Sequence, residues 1–484
     1  MLKPSCGRPP EKRVRCAARR IINEEFRTVS SRAAKRRRTA GGKDPHAKRQ
    51  AARHKGGRRT STRSKTPKPA SSERAKTVPV FDFDVLIAGG GLVGASLAAA
   101  LAPLPLKVGV VEAVPFGAPG QPSYDERVTA LSLGSQRVLA HIGVWPALAA
   151  EAAPIREVHV SERGRFAKTR LNAQELGVEA LGYVVPNRAI GAALGGCLSR
   201  QANLQMLAPA RVTSVTLQRD CVVATVAGGA GRPVTSKLLV AADGAQSEIR
   251  TQLGIAARIW DYGQSALVCN LSVGRPRAGG AWERFTDQGT LALLPMGAER
   301  YAFIWTAERA HIEKLLTLPE AEFLQAAAAL FNGRVGGLSR LGKRQSYPLK
   351  LVRAAAQTRG RALVLGNAAH SLSPIAAQGF NLSLRDVAVL ADMLGGAVEQ
   401  GEDIGAASLL AAYVKSRRRD QTGTAVFTDM LTRTFSNPLR SVALARNAGL
   451  IGLELLPFLR RQFLRRSAGL AGMRARVARE TGPA

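Results

Sequence analysis

From residue 81 onward the chain alternates unbroken apolar blocks with glycine-rich breaks. Phe81 to Leu86 starts by alternating and continues apolar through Ile87, which suits a strand buried in a parallel sheet. Gly89-Gly90-Gly91-Leu92-Val93-Gly94 follows, and then a helix-like run from Ala95 to Leu101. A second apolar strand is predicted over Val108–Val111 and ends at Glu112. The 22 residues from Val85 to Leu106 carry no charge, and about 20 apolar residues would suffice to cross a bilayer. Four glycines, Pro103 and Pro105 break this stretch, so strand, turn and helix explain it better. Two later blocks repeat the strand-then-turn pattern. Leu238–Ala242 runs into Asp243-Gly244, and Leu363–Leu365 into Gly366-Asn367 and a loop. A helix is then predicted from Gln378-Gly379-Phe380-Asn381 through Asp386 to Leu394. Between these blocks, Ser265–Val273, Thr290–Leu294 and Tyr301–Thr306 read as short alternating strands.

Charge divides the chain unevenly. The formal net charge is +35 over 484 residues, and residues 1–80 hold 25 Lys/Arg against 5 Asp/Glu. With few large apolar residues, 32–76 cannot offset its ordering entropy and is expected to be disordered. The tail is open to four readings: a nucleic-acid or anionic-lipid binder, a targeting segment, a non-native extension, or a solvated tail outside the chemistry. A nucleic-acid function for the whole chain is disfavoured, because the tail lacks interleaved aromatics and the glycine motifs would then be idle. No apolar signal region opens the chain. The five cysteines form no C-x-x-C pair and the six histidines no metal-ligand spacing. That argues against a zinc site or a disulfide framework and for a reducing compartment, the cytoplasm, with a peripheral position on the inner membrane as an option.

The first glycine cluster has the order that dinucleotide binding needs. Gly89 permits the tight turn, Gly91 lets the main chain approach a pyrophosphate, and Gly94 lets helix and strand pack closely. The helix N-terminus offers unpaired N–H groups to phosphate. Glu112, 18 residues after Gly94, can accept from both ribose hydroxyls and disfavours a 2′-phosphate, leaving FAD or NAD.

With Asp243-Gly244 and Gly366-Asn367 added, the chain resembles the group A flavoprotein monooxygenases of the para-hydroxybenzoate hydroxylase fold. Within them it is most similar to the UbiH-type hydroxylases of ubiquinone biosynthesis. Asp125–Leu131, Leu181–Pro186, Glu283–Thr286 with Leu291–Pro295, and Tyr347-Pro348-Leu349 carry that closer likeness, which spans roughly residues 81–470. The chain departs from the pattern at Asn367, where the wider family has Asp, and at Ser373, Ala377 and Ser383. The resemblance implies an α/β protein with a Rossmann-like FAD-binding domain, discontinuous in sequence, an inserted mixed β-sheet substrate domain and a C-terminal helical region. It puts Arg127 against FAD, Asp243 near the pyrophosphate and ribityl chain, and Asn367 on the ribityl chain. Pro374, Gly379, Phe380 and Asn381 would line the isoalloxazine ring. His370 reads as a loop residue rather than a catalytic acid. The metal complement is none, and no catalytic acid or base can be named.

The corresponding segments are 1–80 (basic extension), 81–154, 186–257 and 355–430 (FAD-binding), 155–185 and 258–354 (substrate domain), and 431–484 (C-terminal, helical and basic). The implied reaction is ring hydroxylation of a polyprenyl phenol by dioxygen through a flavin C4a-hydroperoxide, with NAD(P)H or another donor as reductant. The implied substrate is 2-polyprenyl-6-methoxyphenol. The alternatives are a sister hydroxylase acting at another ring position and a same-fold flavin reductase of isoprenoid chains. Trp282, Phe285, Phe303 and Trp305 could line a groove for the prenyl tail, although ordinary core is the simpler role for each. Leu450–Arg466 mixes large apolar residues with four arginines. It suits either an interfacial helix on anionic lipid or a helix packed on the FAD domain. Membership of a ubiquinone-biosynthesis complex is a further implied partnership.

Overall fold

The computed structural model describes residues 81–118, 127–163, 168–228, 233–372, 378–435, 449 and 451–470. The basic extension, Pro374 and Ala377 lie outside them. Five parallel strands form the heart of the first sheet, in the order Ala362–Val364, Pro233–Ala241, Phe83–Ala88, Val108–Val111 and Leu204–Leu207. Three antiparallel strands, Thr358–Arg359, Val222–Ala227 and Arg211–Leu217, extend it. The neighbours come from distant parts of the chain because parallel strands need crossover connections. The first crossover is the helix Leu92–Ala100.

The unbroken apolar blocks exist because this sheet is covered on both faces. Val85 and Ile87 pack into one cluster with Leu97, Leu101 and Leu394, whereas Leu86 and Ala88 pack into another with Val222, Ala224 and Ile249. These four strand residues are 3 % exposed or less, so every position on that strand after Asp84 contributes burial.

The second sheet has nine strands. Its main path runs His370–Ser371, Gln345–Ala354, Ala257–Val273, Arg300–Glu308, Gly289–Pro295, Gly280–Thr286, Glu157–Glu162 and Lys168–Asn172. All these pairs are antiparallel except Gly280–Thr286 with Glu157–Glu162. Helices Arg309–Thr317 and Glu320–Phe331 cover one face over Leu267, Leu271, Leu293, Phe303 and Trp305. Trp282, Phe303 and Trp305 belong to that core. Strand Ala257–Val273 starts eight residues before the expected Ser265. Its extra stretch carries charge and pairs through a register shift between Asp261 and Ser265, which hides its alternation.

A small antiparallel sheet, Val128–Ser132, Gly182–Pro186 and Ala153–Ile155, adjoins the two larger ones. The helices Gln378–Glu399 and Ala407–Phe435 follow. The final helix, Pro457–Ser467, is tied to the body: Leu464 is buried, the Gly134 N–H donates to the Ala468 carbonyl at 2.9 Å, and Arg460 Nε meets Glu175 Oε2 at 2.6 Å.

Candidate active site

The three strand-ending turns meet at the carboxyl edge of the parallel sheet. Gly89 has φ +101°, a left-handed conformation that favours glycine. A Cβ there would lie 2.5 Å from the Ala242 carbonyl oxygen and 3.0 Å from the Asp243 nitrogen. The first turn is therefore pressed against the second, and the Ala242 N–H donates to the Ala88 carbonyl at 2.8 Å. A Cβ on Gly94 would overlap the Gly89 carbonyl oxygen, so helix and turn pack main chain to main chain. The third turn closes on both. Leu365 N–H donates to the Ala241 carbonyl at 2.9 Å, and Gly366, at φ +61°, rests 3.0 Å from the Val93 side chain at its Cβ position.

Three features fit FAD at this edge. Gly91, the N-cap of Leu92–Ala100, offers no side-chain cap and faces open space. A main-chain approach by phosphate and the helix's unpaired first-turn N–H groups are thus both available. Asp243 Oδ2 accepts from Ile249 N at 3.2 Å, while the buried Oδ1 has no partner among the described residues. A buried carboxylate oxygen without a donor is costly, and a cofactor hydroxyl would satisfy it. Glu112 accepts from Gly90 N at 2.5 Å and Val114 N at 3.0 Å. A carboxylate has about four acceptor sites, so capacity for ribose hydroxyls is left.

Asn367 is exposed at the third turn, Gly366–Ala368. Gly379 and Phe380 stand at the start of the long helix Gln378–Glu399. Gly379 faces open space, and Phe380 leans on the main core. Asn381 is 2 % exposed. Its Nδ2 donates to the Ala130 carbonyl at 2.9 Å and its Oδ1 accepts from Ser132 N at 2.8 Å. The residue thereby fastens the helix start to the strand that begins just after Arg127. The Arg127 guanidinium stacks over the Tyr347 ring at 5.0 Å, linking that strand to the second sheet.

Two further groups have no clear signal in the sequence. Buried Arg250 donates to the Ala245 carbonyl at 3.1 Å and the Ala368 carbonyl at 3.0 Å, joining the second and third turns. His370 is not a plain loop residue. Its Nε2 lies 2.6 Å from Asp386 Oδ2, and Arg417 Nε and Gln421 Nε2 also reach Asp386, at 2.5 and 3.1 Å. Arg417 and Arg385 then share Asp420, and Arg385 donates to the Asn381 carbonyl at 3.3 Å. Burial alone would raise the Asp386 carboxyl, but the Arg417 charge and the bonds from His370 and Arg417 outweigh it and hold it down at about 2. This lattice braces His370–Ser371, just past the third turn. A cavity of about 450 Å³ between His159, Lys168, Arg170, Arg275, Arg277 and Arg334 contains none of the turn residues. Among the described residues no His/Cys/Asp/Glu cluster could hold a metal.

This arrangement of turns on a parallel sheet, joined to a second, mixed sheet, is that of an FAD-dependent monooxygenase. Residues 82–428 match the family described as FAD binding domain, and the chain belongs to that family. It also belongs with the ubiquinone-biosynthesis hydroxylases. It is 39 % identical over 386 residues to ubiquinone hydroxylase UbiL of Rhodospirillum rubrum, covering 80 % of this chain and 89 % of the relative. It is 31 % identical to the 3-demethoxyubiquinol 3-hydroxylase of Escherichia coli, over 80 % and 98 % of the two chains. The crystal structure of p-nitrophenol 4-monooxygenase PnpA from Pseudomonas putida DLL-E4 shares the fold, with TM-score 0.66, 18 % identity and coverage of 81 % and 98 %. FAD is the cofactor, and NAD(P)H is the reductant typical of the family.

Two outcomes follow. Gly91→Ala, whose Cβ meets no atom within 4 Å in the protein, should melt with the flavin-free wild type yet bind FAD more weakly, read by flavin absorbance after purification. Gly94→Ala should lose stability as well. At Asp386 the folded value lies below the ordinary carboxylate value of about 3.9. Its contribution to stability is therefore complete above that value and drains as pH falls through about 2. Asp386→Ala should cost about 3–5 kcal/mol at neutral pH, and Asp386→Asn should flatten the acid limb, both read by urea unfolding across pH.

Proposed function

We propose that the protein hydroxylates the aromatic ring of a polyprenyl phenol in ubiquinone biosynthesis. The observation that carries this reading is the meeting of Gly89–Gly94, Asp243 and Gly366–Asn367 around an open main-chain cradle, beneath a sheet with a partly exposed apolar face. In this reading Gly89, Gly91 and Gly94 receive the FAD pyrophosphate at the helix N-terminus, and Glu112 takes the ribose hydroxyls. Asp243 and Asn367 bond the ribityl chain, with Arg127 alongside. Pro374, Gly379 and Phe380 border the ring system, and Asn381 holds that border in register. Bound FAD, once reduced, supplies the activated oxygen. The protein orients the phenol and keeps water away from the reacting atoms.

Ring position has two readings. The closer resemblance favours 2-polyprenyl-6-methoxyphenol, whereas the name of the Escherichia coli relative favours a sister hydroxylation at another carbon. A flavin reductase of isoprenoid chains is less supported than either.

A membrane-borne substrate agrees with the C-terminal surface. Among the described residues no helix is long and apolar enough to cross a membrane. Leu455, Leu456, Phe458 and Leu459 are nevertheless 71, 51, 76 and 44 % exposed beside Arg461, Arg465 and Arg466. Large apolar side chains among cations suit the surface of an anionic bilayer. Arg460 is excluded from that role by its pairing with Glu175.

A cell lacking this protein should accumulate one polyprenyl phenol, and mass spectrometry of its quinone intermediates identifies the missing hydroxyl. An unchanged quinone profile would defeat the reading. The holoenzyme should float with anionic vesicles and sink after Arg461/Arg465/Arg466→Glu; flotation that survives the change would count against the surface.

A further inference from the structure

The second sheet turns one face away from its covering helices, and the carboxylate of Glu283 stands in the middle of that face. Glu283 lies in Gly280–Thr286 with Val160 on one side and Ala292 on the other. The same row continues through Ile304 and Val268 to Gln345. Every member of this row is half-buried, unlike the fully buried Leu291, Leu293, Phe303 and Trp305 of the opposite face.

Three contacts fix where the face looks. Ala281, one pleat from Glu283 on the same side, packs with Ile155, Val184, Val128 and Ala130. Ala130 is the residue whose carbonyl Asn381 holds. Tyr347, one pleat from Gln345, lies under the Arg127 guanidinium. The face is thus bounded by Arg127 and by the strand bound to the start of the helix carrying Gly379 and Phe380.

We infer that Glu283 is the group that accepts the phenolic proton of the substrate, an inference that rests on the ring hydroxylation proposed above. Among the described residues nothing donates to its carboxylate or pairs with it. Among the described residues the other charged groups on this face include Glu162, beside Phe285, Arg300 and Glu308, at the two ends of the strand that carries Ile304, and Arg127, over Tyr347. Burial alone raises the Glu283 carboxyl to about 7, the range in which a general base works best at neutral pH. The row's apolar members offer the ring and the first part of its prenyl chain a dry surface.

The proton balance is simple. The phenol O–H bond breaks as an O–H bond forms on Glu283, and the released pair enriches the ring carbon that receives oxygen from the dioxygen-derived oxidant. The C–O bond forms as the O–O bond of that oxidant breaks, and the C–H proton of the same carbon leaves with the departing oxygen as water. The proton on Glu283 returns to the phenolic oxygen as the product leaves; the reductant, NAD(P)H, supplies the two electrons.

The test uses FAD-loaded full-length protein, a short-chain prenyl phenol and a ring-fluorinated analogue already ionised at the assay pH. Glu283→Gln should retain flavin and lower kcat on the ordinary phenol about 100-fold, while the ionised analogue loses only a few-fold. The wild-type rate should rise as pH passes about 7. Glu283→Gln should lack that limb and rise only toward the phenol's own ionisation near about 10. Glu283→Asp, a shorter carboxylate, should restore the limb at reduced rate. Equal losses on both phenols, no loss on either, or an Asp variant indistinguishable from Gln would overturn the assignment. Wild-type protein that binds FAD but hydroxylates neither phenol would instead overturn the ring-hydroxylation reading beneath it.

Discussion

The tightest constraint at the site is the approach of two main chains at Gly89 and Ala242. A side chain at Gly89 has no room to stand there, and the left-handed conformation of that residue closes the turn. Because the turn closes, Phe83–Ala88 can end beside Pro233–Ala241 with both strands' carbonyl ends aimed at one place. The helix Leu92–Ala100 then starts at the same point, its first N–H groups directed outward. All that follows at this edge is positioned from that contact: the partnerless oxygen of Asp243, the third turn resting on Val93, and the carboxylate of Glu112 folded back under Gly90.

Polar braces keep the remaining pieces in register. Arg250 bridges the second and third turns over a separation of 118 residues, and Asn381 reaches Ala130 across 251. Both use charged or amide groups against main-chain atoms in buried surroundings, where a satisfied bond is strong and an unsatisfied one costly. The His370–Asp386–Arg417–Asp420–Arg385 series does the same between His370–Ser371 and the two long helices. A buried series of charges such as this defines one geometry sharply, because removing a member strands its neighbours.

The turns are legible in the sequence because glycine at fixed offsets after an apolar block serves few purposes besides a tight bend against another main chain. Val108–Val111 has the boundaries its apolar run predicts, since the charges of Lys107 and Glu112 close the run at both ends. The braces are illegible for the opposite reason. Arg250 follows Glu248 in a polar stretch and looks like an ordinary solvated side chain, and nothing local tells His370 that Asp386 and Arg417 will surround it. Glu283 shows in the sequence only as one position of a motif. Alternation along Gly280–Thr286 assigns residues to two faces but cannot say that the second face is half-buried among apolar neighbours, so a polar residue there reads as solvent-facing. The same limit makes Trp282, Phe303 and Trp305 look available for a ligand when they fill the core under the helices.

The strand order also has a consequence for how the chain is made. Asp82 bonds Thr235, 153 residues later, and Ala362–Val364 completes the parallel arrangement later still. During synthesis the first glycine turn therefore emerges long before either segment that shelters it. Non-local pairing of this kind folds slowly and leaves strand edges uncovered meanwhile. The nascent polypeptide would carry Phe83–Ala88 with one edge uncovered until Pro233–Ala241 has been made, some 153 residues later, which makes the half-made protein a client for chaperones well before it is a receptor for a nucleotide.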